Sequence, residues 1–151
     1  MNNKLSAVNL ASCHKIANTE PFILVIHKGE SLVESLTKCA EIVKFPSASL
    51  SGLGALENPI LGCYNLTTQK HEPKEFPGFY EMSNLVGNIT QHHGKYLAHI
   101  HVTLGDVYCA TISGHLIDAP IGVIAEITIK PFATPIEREL HPELQIITIK
   151  T

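Results

Sequence analysis

From Leu97 to Leu104 the chain alternates without a slip. Leu97, His99, His101 and Thr103 share one parity, and Ala98, Ile100, Val102 and Leu104 share the other. Successive side chains of an extended strand point to opposite faces. This stretch therefore reads as a strand with one wholly apolar face for the core and one face that carries two imidazoles. Helical spacing would scatter the same residues around an axis. The segment from Cys109 to Leu116 repeats the pattern, with Ala110, Ile112 and Leu116 opposite Thr111, Ser113 and His115. Two half-buried strands each present histidine away from the core.

Parity also restricts how the two strands connect. A two-residue turn at Gly105-Asp106 would pair Leu104 with Val107 and set the histidine face of one strand beside the apolar face of the next. An odd-length loop removes that conflict. A five-residue loop from Gly105 to Cys109 pairs Leu104 with Ala110, His101 with Ser113 and His99 with His115. Opposed residues of an antiparallel pair have Cβ atoms about 5 Å apart, so three imidazoles can converge on one ion.

The remaining chain supplies the frame. Pro21 to His27 is a short β-rich run, and residues 1 to about 20 lack clean periodicity. Leu32, Val33, Leu36, Cys39, Ala40 and Val43 follow helical spacing, Ser31 and Glu34 form a capping box, and Pro46 stops the helix. Ala48 to Leu56 reads as a strand whose glycines mark a bulge or the close approach of another backbone. Ile60 to Leu66, Gln69 to Glu75, Tyr80 to Ile89, Val123 to Phe132 and Leu144 to Lys150 are further strands. His92-His93-Gly94-Lys95 reads as an exposed turn whose histidines face solvent. Strands outnumber helices and short turns join most of them, which predicts an α+β fold: a large, mainly antiparallel sheet with one main helix.

A chain of 151 residues fits one domain, with its core at about 20–132 and a C-terminal strand at 144–150. The net charge of -3 includes a single arginine, Arg138, and the lysines are scattered rather than clustered. Phosphate binding needs a basic patch and guanine readout leans on arginine, so the charge pattern argues against autonomous DNA binding. Cys13, Cys39, Cys63 and Cys109 form no Cys-x-x-Cys pair, and neither a signal peptide nor an apolar run of spanning length is present. The expectation is a cytoplasmic protein with reduced thiols and no membrane contact.

In order along the chain, Gly29-Glu30-Ser31-Leu32, Ser49 to Leu56, Gly62-Cys63-Tyr64, Gly78 to Met82, Leu85 to Ile89, His99 to Asp106 and Gly114-His115-Leu116 resemble the plant and prokaryote conserved (PPC) domain, a family of predicted DNA-binding proteins. The resemblance implies an α/β domain with a large antiparallel sheet beside a helix, assembling as a homotrimer with a partner-binding role. In plants the domain follows an AT-hook and contacts other proteins through a Gly-Arg-Phe-Glu-Ile-type segment. Here that partner segment is Gly78, Phe79, Tyr80, Glu81 and Met82, with phenylalanine where the arginine would stand, and no Arg-Gly-Arg-Pro hook occurs. In stand-alone prokaryotic relatives the residues matching His99, His101 and His115 look like metal ligands.

Three neutral imidazoles suit a divalent metal, zinc best, with nickel, copper or iron as other candidates. Three protein ligands leave a coordination position open. Glu126 is the candidate fourth ligand or acceptor behind a ligand ring, although a solvated carboxylate on a sheet surface has the same signature. Two functions fit. One is a homotrimeric binding or regulatory module that takes a protein partner or small ligand. The other is a small metal-dependent enzyme with Glu126 or Asp106 as base. A cupin-like oxygenase would need a glutamate shortly after the His-x-His pair, and Val102 to Asp106 offers none.

Overall fold

The computed structural model describes residues 6–151. A short strand β1 (Ser6–Val8) and a 3-10 turn (Leu10–Lys15) precede strand β2 (Phe22–His27) and helix α1 (Leu32–Val43). Then follow β3 (Ser47–Glu57), β4 (Ile60–Asn65), β5 (Lys70–Glu75), β6 (Phe79–His92), β7 (Lys95–Gly105), β8 (Thr111–Asp118) and β9 (Ile121–Phe132). These nine strands form one sheet in the order β1-β2-β9-β3-β6-β7-β8-β4-β5, antiparallel throughout except for the β1–β2 pair. The α+β architecture with a large, mainly antiparallel sheet and one main helix is thus the observed one.

Helix α1 covers one face of that sheet. Leu32, Leu36, Cys39, Ala40 and Val43 bury its apolar stripe in a core shared with Ile100, Val102 and Leu104 of β7 and Ala125, Ile127 and Ile129 of β9. Ser31 caps the helix by accepting from the Glu34 amide, but only half of the expected box forms, because the Glu34 side chain turns to Lys38 at 2.6 Å. The other cap comes from the end of β8. The Ser31 hydroxyl donates to the Asp118 carboxylate, which also accepts from the Val33 amide at 3.3 Å. A carboxylate there complements the positive end of the helix. Lys44 closes the helix in the left-handed conformation with φ 60°, just before Phe45-Pro46. Under the helix the free thiols of Cys13 and Cys39 lie 3.0 Å apart, both fully buried.

The glycines of β3 turn out to serve both expected purposes. A Cβ on Gly52 would fall 2.8 Å from the Glu126 carbonyl oxygen of β9, and the pairing with β6 slips between Gly52 and Gly54. His93 and Gly94, both at positive φ, make the two-residue turn between β6 and β7. At the outer edge every residue of β5 is exposed, and Pro73 stands in its middle.

Two sequence expectations need correction. The β7–β8 connection has the odd parity expected, but the register differs by two. Leu104 pairs with Ile112, Thr103 with Ser113 and His101 with His115. The reason is Asp106, whose carboxylate accepts from the Tyr108 and Ala110 amides at 2.9 Å each, while Cys109 takes φ 60°. That closed loop consumes Cys109 and Ala110, so β8 begins at Thr111. The C-terminal segment also differs. In place of one strand over 144–150, β10 (Arg138–Leu140) pairs with β11 (Ile147–Ile149) as a separate antiparallel hairpin. It lies over the sheet face opposite α1.

Candidate metal centre

His99 and His101 sit at alternate positions of β7, where Ile100, Val102 and Leu104 are driven into the core and the imidazoles are left on the outer face. The direct pairing of His101 with His115 brings in the third ring. Ring centroids are 5.4 Å apart for His99 and His101, 5.1 Å for His99 and His115, and 5.5 Å for His101 and His115. One ring nitrogen from each lies within 4.8 Å of the others. Nitrogens bound tetrahedrally to zinc are about 3.3 Å apart, given Zn–N distances near 2.05 Å, so small side-chain rotations close the remaining gap. Gly87 of β6 makes the close approach of β6 and β7 possible here. A Cβ at that position would lie 2.3 Å from the His99 carbonyl oxygen.

The cluster has the chemistry a cation needs. The Nδ1 atom of His115 is buried with no hydrogen-bond partner, a condition that costs roughly 1–3 kcal/mol when nothing satisfies it. Burial, followed by the neighbouring His99, pushes the His115 pKa down to about 4. His99 is also lowered, first by burial and then by the Arg138 charge. Both rings are therefore neutral near pH 7, the protonation state that binds metal. The three residues fit a divalent ion with an open position.

Two neighbours carried no signal in the sequence reading. His71 of β5 stacks on His115 with centroids 4.7 Å apart. Arg138 of β10, only 7% exposed, reaches under the hairpin to the same face. Its Nε donates to the Thr90 hydroxyl at 2.6 Å, Nη1 to the Ile147 carbonyl at 3.2 Å and Nη2 to the Asn88 side-chain oxygen at 2.8 Å. Nη2 also faces His99 Nδ1 at 3.4 Å. A ligating histidine ordinarily donates its second ring nitrogen to a carboxylate or carbonyl. Guanidinium only donates, so this contact makes Nδ1 an acceptor and sets the ring proton on Nε2. Ligation by His99 through either nitrogen then requires Arg138 to draw back from Nδ1. An isolated arginine between prolines shows no periodicity that would have revealed this.

The proposed carboxylates do not join the site. Glu126 is on the outer face, but its neighbours are Val25 on β2 and Leu53 on β3. The strand order puts β3 and β6 between β9 and β7, three strand spacings or roughly 14 Å. It is neither a ligand nor an acceptor behind one, but an exposed sheet carboxylate. Asp106 is occupied in its loop. In the segment Gly78 to Met82, Met82 is buried in the core while Phe79 and Glu81 are exposed.

A nine-stranded α+β sheet with a histidine triad on the face opposite its helix defines a small scaffold built around a candidate metal centre. The family model for the Plants and Prokaryotes Conserved domain matches residues 14–133, and the chain belongs to that family. Among solved structures, a candidate DNA-binding protein from Ralstonia eutropha is 28% identical, with a TM-score of 0.80 over 85% of this chain and 90% of that one. A plant- and prokaryote-conserved protein from Pyrococcus horikoshii is 24% identical, with a TM-score of 0.80 over 85% and 90% of the two chains. A protein from Archaeoglobus fulgidus described as metal-containing is 23% identical, with a TM-score of 0.80 over 87% and 94%. No curated protein matches the chain. No helix among the described residues is long and apolar enough to cross a membrane.

Proposed function

We propose that this chain is a stand-alone PPC-domain module of the binding or regulatory kind, in which His99, His101 and His115 hold a divalent cation. The observation that carries the reading is the convergence of three imidazole nitrogens within 4.8 Å, one of the rings having a buried nitrogen without a partner. Zinc suits this donor set best. The module assembles as a homotrimer in the cytoplasm. Supporting the assembly, Leu53 and Val86 lie on the histidine face of the sheet at 56% and 55% exposure, apolar area that a partner would cover. Phe79 and Glu81 offer a second surface to a protein partner.

Autonomous DNA binding does not belong to this proposal. The single arginine is buried beneath the C-terminal hairpin, and so gives no phosphate contact. The enzyme alternative keeps its open coordination position but loses both carboxylate bases to the positions described above.

Metal analysis of the purified protein, combined with sedimentation, tests the reading. Wild type is expected to hold about one zinc per chain and to sediment as a trimer. His99→Ala, His101→Ala and His115→Ala should each bind zinc at least tenfold more weakly. Equally little metal in all four proteins overturns the site, and a monomer at micromolar concentration overturns the assembly.

A further inference from the structure

A cavity of about 930 Å³ lies between the histidine face and the C-terminal hairpin. That volume suits a small organic ligand. Its apolar lining includes Leu97 of β7 and Ile147 and Ile149 of the hairpin, while Arg138, Lys70 and His71 stand among the polar groups. No aspartate or glutamate lines it, although acidic residues outnumber basic ones in the whole chain by 14 to 11.

Arg138 makes the charge of this cavity specific. Among the described residues its guanidinium has no ion-pair partner, and its hydrogen bonds go to neutral atoms alone. A buried cation without a counter-charge is costly, and guanidinium matches a planar carboxylate with two parallel donors. Of its five N–H groups, one has no partner and another makes the 3.4 Å contact to His99. An anion accepting from these two would supply the missing charge and draw Arg138 off His99 Nδ1.

The hairpin that brings Arg138 is tied down on both sides of the cavity. The Gln91 amide donates to the Ile136 carbonyl at 3.0 Å, and His92 Nδ1 lies 2.9 Å from the Arg138 carbonyl oxygen. Across the sheet, the Tyr64 hydroxyl and the Gln69 side chain donate to the carbonyls of Leu144 and Glu143. The family match ends at residue 133, so this wall lies outside the matched region.

We propose that the cavity binds a small organic carboxylate with an apolar body, its carboxylate against Arg138 and its body against Leu97, Ile147 and Ile149. The proposal rests on the metal reading for one feature only, a second contact of the carboxylate with the cation. Arg138 and the apolar lining recognise the ligand with or without metal, and the cation tightens it.

Calorimetry with hexanoate as the probe tests this, on zinc-loaded protein and on protein stripped with EDTA. Hexanoate is expected to bind saturably, roughly tenfold or more tighter than acetate, which lacks the body, and than hexan-1-ol, which lacks the charge. Inorganic phosphate should bind more weakly than hexanoate. Arg138→Met should weaken hexanoate at least tenfold, with Arg138→Lys between the two. Because Arg138 is buried and its loss can loosen the hairpin, Ile147→Glu provides a second variant. Ile147 is 39% exposed, and an acid placed there should expel hexanoate while Arg138 keeps its scaffold. Equal binding of hexanoate and hexan-1-ol, or hexanoate affinity unchanged in both variants, overturns the proposal. Absence of hexanoate binding in a protein that takes up zinc overturns it too. Arg138-dependent binding in a protein that takes up no zinc sustains it and removes the metal reading instead.

Discussion

Strand β7 is covered on both faces, by α1 on one and by the β10–β11 hairpin on the other, and the two covers work differently. Under the helix, Ile100, Val102 and Leu104 meet Leu36, Cys39 and Ala40 in a core whose stability comes from area removed from water. Under the hairpin, Thr90, Asn88 and His99 meet a guanidinium, and what matters is which donor faces which acceptor. The first arrangement tolerates any side chain of suitable volume. The second leaves an unpaired buried group whenever one partner is lost.

Substitutions that separate the faces should differ accordingly. The largest effect is expected from Ile100→Ala, which empties fully buried volume on the helix side. It should cost about 2–5 kcal/mol in urea unfolding while leaving zinc affinity within a few-fold of wild type. A large loss of zinc in that variant would show that the two faces are mechanically coupled. Next comes Gly87→Ala, whose methyl enters against the His99 backbone. About 1–3 kcal/mol and a marked loss of zinc affinity are expected together, since moving that carbonyl moves a ligand. Unchanged zinc uptake would show that the His99 backbone position is not what sets the site.

The smallest effect is electrostatic and is read in metal-free protein. The folded-state pKa of His115, about 4, lies below its ordinary value of 6.5, so on acidification the unfolded chain takes up the proton first. The stability tied to the neutral ring is complete above about pH 6.5 and is lost between there and pH 4. His115→Asn should flatten the fall of Tm over that window by a few degrees. An unaltered slope would transfer the acid sensitivity to other groups.

How far the molecule could be read from its residues depends on whether the information is local. Alternation in β7 and β8 and the helical stripe of α1 are local periodicities, and both faces of β7 followed from them before any contact was known. Loop parity was legible too, because a wrong parity would have turned an apolar face outward. The register within that parity was not. A shift by two keeps every side chain on its face, and the decision fell to the Asp106 carboxylate gathering two amides. Glu126 was correctly placed on a strand and on the outer face, but the distance from β9 to β7 is set by strand order, which no single strand encodes. Arg138 and His71 reach the site only through tertiary packing. The alternation of Ile147 and Ile149 beside three prolines was the one hint that the C-terminal segment folds back.

Strand β5 settles how this sheet ends. Its open edge is exposed along its whole length, carries Lys70, Glu72, Lys74 and Glu75, and places Pro73, which has no amide hydrogen to offer, opposite Gly62. A second copy adding its own strand there would meet charge and a missing donor. At the opposite end, among the described residues, β1 spans Ser6–Val8. Growth of the sheet by strand addition is therefore blocked along its β5 edge.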